Sequence, residues 1–464
     1  MENASFDIII VGGGISGSFV AKYLTQAGLR CLMLEAGQHY KKGEYPSREV
    51  DANSQLYWGG GMELNTSADL VFLRPKVLGG GSVVNQALVD RFDDDAWDSW
   101  KHASGVSYFE SSQMAQWYDK AETEISIQYI DEKFRNGNAK IFAEGFDING
   151  FKYAPLRRAQ TDCKTEQGND CIDCLAGCKL ESKQSMPWTL LKRANATGNL
   201  TILSEFEVER VSESDTAVQI EGTRRGGITQ KFTAKKLVLA GGAIGNSKLL
   251  LHSGFQDRLP ALGRGFYTHP QFMNLGIYAH RVNAFKGAFQ ALKSDDPGFR
   301  KGGFKLENVF GPPGGISMLV SRLGLPHQEV MEKLPYMGCI EVAVRDTNPG
   351  QIRVNKAGVV TIRKTLNEED EKRRARGFDA IEKIFKSTHA QRVIEGQFGI
   401  GLHLMGGCNM GTDPANSVVG PDFKLHGFKR TFAADSSIFP NAPGINPSLT
   451  IMALACKAAE EIRA

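Results

Sequence analysis

The sequence predicts an α/β protein: a Rossmann-like dinucleotide-binding domain interleaved with an α+β substrate domain built on an antiparallel sheet. Three observations predict it. The chain starts with an apolar run, a glycine loop, a helical pattern and a second apolar run. A similar strand and glycine turn returns far downstream, at Lys235 to Gly245. Between them and the C-terminus lie short alternating segments such as Tyr336 to Arg345 and Gln351 to Arg363, typical of antiparallel strands.

The first unit is the most specific. Asp7 to Val11 reads as a buried parallel strand. Gly12-Gly13-Gly14-Ile15-Ser16-Gly17 follows, a G-x-G-x-x-G pattern, then a predicted helix from Ser18 to Ala27 stopped by Gly28. Arg30 to Glu35 is the second strand, ending in an acid. In such a unit Gly12 permits a tight turn, Gly14 lets the backbone approach a pyrophosphate, and Gly17 lets helix pack on strand. The helix N-terminus offers free N–H groups to phosphates. Glu35 can accept from ribose hydroxyls and disfavours a 2′-phosphate, so FAD or NAD is expected rather than NADP.

A second glycine-rich loop, Arg74 to Ala87, adds Ser82 and Asn85 as polar reach. Ala96 to Glu124 reads as helices covering the nucleotide domain. Leu200 to Leu203 and Glu207 to Val211 alternate as strands, and Lys235 to Leu239 runs through a glycine turn into a helix from Ser247 to His252. Asn367 to Phe385 is an amphipathic helix with its acids at the N-terminal end, where the dipole favours them.

At 464 residues the chain exceeds one ordinary core, so two or three domains are expected. A net charge of +3 implies no nucleic-acid partner. No apolar run reaches roughly 18 residues, so no membrane span is predicted, and nothing before Phe6 reads as a signal peptide, which makes the cytoplasm the expected location. Cys163, Cys171, Cys174 and Cys178 crowd one stretch. Thiolates at such spacing can hold an Fe–S cluster or zinc, can pair as disulfides, or can sit in a loop that binds nothing.

Four blocks together resemble the glucose-methanol-choline (GMC) family of FAD-dependent oxidoreductases: Gly12 to Gly17 with Glu35, Val77 to Asn85, Leu239 to Gly254, and His403 to Ser448. Gly263 to Pro270 is similar to the family's domain-crossing link, and Ala433 to Ser437 to its flavin-contacting turn. Lys76 stands where an arginine is common, and Gly81 where serine is frequent. Asn446 takes the place of the second histidine of glucose oxidase-like members, nearer the cholesterol oxidase-like and choline-type branch.

The resemblance implies FAD as cofactor. It also implies a discontinuous FAD-binding domain over 1–95, 196–266 and 401–464, a helical cover with the cysteine-rich loop over 96–195, and a substrate domain over 267–400. The implied cofactor-binding set is Gly12, Gly14, Ile15, Ser16, Gly17, Glu35, Ala36, Gly79, Gly80, Ser82, Asn85, Val208, Ala240, Gly241, Asp435, Pro447 and Ser448. Some bacterial members carry a three-cysteine Fe–S loop, whose end Cys174-x3-Cys178 matches.

The implied reaction is oxidation of a CH–OH group of a small-molecule alcohol, with electrons passed to oxygen or another acceptor. His403 is the expected base, since an imidazole is neutral near pH 7. Asn446 is expected to hold the hydroxyl oxygen and to cap the helix Ser448 to Ile462, with Pro447 at its first position. Two rivals remain at this level: a GMC-like lyase with non-redox FAD, and a non-catalytic flavin-binding protein.

Overall fold

The computed structural model describes residues 6–164 and 170–464. Its first sheet has seven strands. Leu200–Leu203, Cys31–Leu34, Phe6–Val11 and the end of Ile228–Leu239 run parallel, and Thr431–Ala433 closes the parallel part beside Leu237 to Leu239. The start of Ile228–Leu239 turns antiparallel into Val218–Arg224 and Phe206–Glu213. One long strand therefore serves two pairings. The parallel strands carry Ile8 to Ile10, Cys31 to Leu34 and Leu237 to Leu239, all buried, as strands covered on both faces require.

The helices follow the same logic. Ile15–Gln26 starts at the glycine loop itself, three residues before the predicted Ser18, because Gly14 already has extended dihedrals and acts as the cap. Gly242–His252 likewise starts five residues before the expected Ser247. Two glycines argue for a turn there, but Asp435 accepts from the Gly242 N–H at 2.6 Å and Asn246 from the Gly241 N–H at 2.9 Å, fixing the first turn. The predicted covering helices are Asp94–Ser104 and Ser111–Glu122, and Trp97 and Trp100 are wholly buried beneath them.

The second sheet has nine strands, with Pro270–Ile277, Met337–Val344 and Phe304–Asn308 at its centre. Gly399–Gly401 and Leu70–Phe72 extend one side; Leu292–Ser294 and Tyr153–Pro155 extend the other. Segments from the first third of the chain thus complete a sheet whose centre comes from residues 270–344. Its outer face packs on the helix Glu368–Ser387, which Asn367 and Asp370 start with a reciprocal capping box. Gln351 to Arg363, expected as one alternating segment, is a hairpin of Gly350–Val354 and Val360–Arg363. That hairpin joins Arg264–Tyr267 and Met405–Gly406 in a small four-stranded sheet. Among the described residues no helix is long and apolar enough to cross a membrane.

Candidate active site

A cavity of about 880 Å³ runs between the two large sheets. One end is backbone. Gly12 has φ +103°, and a Cβ there would stand 2.3 Å from the Ala240 carbonyl oxygen. Gly79 N–H donates to the Gly13 carbonyl at 2.9 Å, so the two glycine loops are bonded to each other. A Cβ on Gly80 would meet Gly14 Cα at 2.9 Å. The helix Ile15–Gln26 has no side-chain cap, and Gly14, Ile15 and Ser16 line the cavity at its N-terminus. Glu35 is buried, with one oxygen taking the Gly13 N–H at 2.8 Å and the other the Gly37 N–H at 2.7 Å. Burial raises its pKa, against those two bonds and the charge of Lys76.

This end fits FAD: close backbone approach, uncapped helix N–H groups and a buried acid at the second strand's end suit a pyrophosphate and a ribose. Of the predicted cofactor set, Gly12, Gly14, Ile15, Ser16, Glu35, Ala36, Gly80, Asn85, Val208, Ala240, Gly241, Asp435, Pro447 and Ser448 line the cavity. Gly17, Gly79 and Ser82 are not on its wall. A Cβ on Gly17 would strike the Gly12 carbonyl at 2.1 Å, so its place is in helix–turn packing. The Ser82 hydroxyl turns away, donating to the Gly79 carbonyl at 2.6 Å and accepting from Met186 N–H at 3.0 Å. Asp435 is spent on protein, bonding Gly242, Asn246 and Ser437.

The other end is made of side chains. His403 and Asn446 both line the cavity. His403 is kept neutral, its pKa pushed down to about 3 by burial and the charge of Lys305. Its Nδ1 lies 3.0 Å from His269 Nδ1, and the rings meet edge to face. His269 is fully buried and its pKa lies well below the usual value, from burial and the neighbouring positive groups. Gly444 N–H donates to His269 Nε2 at 2.9 Å.

Asn446 departs from its expected place. It does not cap the last helix: Pro447, with φ −87° and ψ −10°, occupies the cap position of Ser448–Arg463, and no side chain caps it. The Asn446 amide oxygen instead accepts from the Lys305 ammonium. A charged donor holds an amide oxygen more strongly than a backbone N–H does.

Lys305 belongs to a polar row across the inner face of the second sheet. Register pairs Met273 with Glu341, Glu341 with Glu307, and Glu307 with Lys293; the adjacent row carries Gln271, Ala343 and Lys305. Period-two alternation puts all of these on the cavity side, and Phe272, Val342 and Leu306 on the helix side. Lys293 meets Asp90 at 2.8 Å, and Lys305 bridges Asp90 and Glu307. Burial alone would lower the Lys305 pKa, but Glu307 and Asp90 outweigh it and raise it. Burial and the neighbouring Glu307 carboxylate push Glu341 well above the usual carboxylate range.

The sequence reading missed His269, Lys305, Glu307 and Glu341. For the last three a signal existed: charged residues interrupt the apolar strands Phe304–Asn308 and Met337–Val344.

The cysteine loop borders the same cavity through Ile172, Asp173, Leu175, Ala176 and Lys179. Residues 165–169, within the Cys163 to Cys171 spacing, lie outside the described residues. Cys171 Sγ takes a bond from Arg158 at 3.3 Å, and Cys178 Sγ one from Lys183 N–H at 3.5 Å. The Lys183 ammonium ties the loop to the second glycine loop through the Val83, Asn85 and Cys174 carbonyls. Cys174 donates to Cys178, which lowers the Cys178 thiol to about 5. Among the described residues no three Cys, His, Asp or Glu are grouped to hold a metal ion.

Residues 6–271 and 341–455 match two family models, each described as GMC oxidoreductase. An uncharacterised GMC-type oxidoreductase of Mycobacterium tuberculosis is 26% identical over 98% of this chain and 75% of its own. A long-chain-alcohol oxidase of Arabidopsis thaliana is 23% identical over 97% of this chain and 67% of its own. The solved pyridoxine 4-oxidase from "Mesorbium loti" superposes with a TM-score of 0.78 at 17% identity, covering 99% of each chain.

Proposed function

Because the chain belongs to the GMC oxidoreductase family and is an FAD-dependent oxidoreductase, we propose that it oxidises the CH–OH group of an alcohol to a carbonyl. Bound FAD supplies the hydride acceptor, and oxygen or another acceptor later removes the electrons. The observation that carries this reading is the shared cavity: His403 and Asn446 line the same space as the two bonded glycine loops. In this reading Gly12, Gly14, Ile15 and Ser16 hold the pyrophosphate and Glu35 the ribose. His403 and Asn446 hold the hydroxyl oxygen, and so orient the carbinol C–H.

The apolar side chains in the cavity lining, Met273, Phe289, Phe310, Ile400 and Leu402 among them, favour an alcohol with an apolar body. The named relatives act on long-chain alcohols and on pyridoxine, so both chemistries belong in the substrate panel.

The test is anaerobic mixing of the holoenzyme with long-chain, sterol, aryl and pyridine-ring alcohols, followed by air or a dye. Bleaching of the flavin by at least one class is expected. His403→Ala is expected to slow that bleaching by about 100-fold or more while keeping its flavin. Bleaching by none, or cleavage with the flavin staying oxidised, overturns the reading.

A further inference from the structure

Two groups near the proposed substrate oxygen can only donate hydrogen bonds. One is the Gly444 N–H, which points at His269 Nε2 at 2.9 Å. The other is the Lys305 ammonium, which meets the Asn446 amide oxygen. Each fixes an assignment that ring or amide geometry alone leaves open.

The first chain runs from the backbone. A donor at Nε2 requires a lone pair there, so a neutral His269 carries its proton on Nδ1. That proton points at His403 Nδ1, 3.0 Å away. His403 Nδ1 is therefore an acceptor, and a neutral His403 carries its proton on Nε2, the nitrogen left for the cavity. The second chain is shorter. With its oxygen turned to Lys305, Asn446 leaves its amide NH2 for the cavity. Both side chains then present N–H groups.

We infer that His269 is a positioning residue: held by Gly444, it locks the His403 proton on Nε2, so that His403 and Asn446 form a two-donor site for a substrate oxygen carrying negative charge. This rests on the reading that an alcohol oxygen binds between His403 and Asn446. It revises the base role that the sequence assigns to His403. In that site the hydroxyl proton would pass to a water or hydroxide of the solvent, the bound oxygen would be held as an alkoxide, and the hydride of the carbinol carbon would go to the bound FAD as the carbonyl forms.

Preorganised donors are effective where negative charge is greatest. The charged groups facing the dyad support the same polarity. Lys305, Arg300 and Arg345 all disfavour imidazolium at His269, and Lys305 does so at His403.

The test pairs two isosteric variants. Glutamine at position 269 can accept from Gly444 and donate to His403, whereas glutamate can only accept. His269→Gln is expected to keep kcat/KM within about tenfold. His269→Glu, which forces the His403 proton onto Nδ1 and removes one of two donors, is expected to lose about 100-fold or more. Its kcat/KM–pH profile gains an ionisation absent from the parent, as a carboxylate beside His403 raises the imidazole pKa. Equal rates and equal pH profiles for the two variants overturn the proposal.

A second measurement needs no turnover. In histidine-15N-labelled holoenzyme without substrate, the His403 signal, assigned by its loss in His403→Asn, should report protonated Nε2. Protonated Nδ1 overturns the tautomer lock. If no alcohol bleaches the flavin, the functional reading fails while this measurement still decides the lock.

Discussion

The wall that includes Gly12, Gly14, Gly80 and Gly81 meets the cavity largely through glycine backbone, whereas the opposite side presents His403 and Asn446, backed on the inner face of the second sheet by paired charged side chains. The first wall depends on where a Cβ would collide. The second depends on which charges are left when one is removed. A backbone wall tolerates few residue types at each position but is built from two short segments. The charged layer behind the other wall draws Asp90, Lys293, Lys305 and Glu307 from two distant stretches, and only their sum is neutral.

The contrast can be broken hardest at Gly12. Gly12→Ala places a Cβ 2.3 Å from a backbone oxygen at a positive φ. A cost above about 3 kcal/mol in holoprotein stability and loss of flavin through gel filtration are expected. Retained flavin and an unchanged melting temperature would show that the loop gives way.

On the opposite wall Lys305→Met should cost about 3–5 kcal/mol, because Asp90 and Glu307 are left buried without their shared partner. Adding Glu307→Gln should recover part of that loss. No recovery in thermal unfolding would mean that the lysine's packing, not its charge, matters.

A smaller effect follows from the histidine pair. Both have folded-state pKa values below the unfolded value near 6.5, so the unfolded chain takes protons that the folded one refuses. Stability is full above about pH 6.5 and falls as pH drops, by up to about 1.4 kcal/mol per pH unit for each ring. For His403 the fall ends near its folded value of about 3. Denaturant unfolding at pH 7 and pH 5 should show this slope, and His403→Asn should shrink it.

Smallest is Asn367→Ala, which removes the cap of the helix behind the second sheet. About 1 kcal/mol of stability should go with no change in bound flavin. Lost flavin would show that the helix face and the cavity face are coupled.

Much of the first wall was legible. The glycine spacing, the acid at Glu35 and the strand–helix–strand order all sit within one short segment, where local geometry dictates residue type. The helix starts were set too late at both glycine turns, because glycine reads as a breaker until Asp435, from the far end of the chain, is seen to fix one of them. At the second wall the sequence singled out His403 and Asn446 but gave Asn446 a capping bond. Lys305 takes that oxygen instead, and a contact between residues 141 positions apart leaves no local pattern.

By itself, then, the sequence determined the family, the cofactor and the backbone that cradles it, since each depends on conformations that only certain residues adopt. Tertiary structure alone decided the side-chain wall: which strands lie side by side, that Lys305 reaches Asn446, and that Gly444 meets His269. The physical reason is that a hydrogen bond's direction and a buried charge's partner are properties of packed neighbours, and neighbours in a sheet are chosen by register rather than by sequence distance.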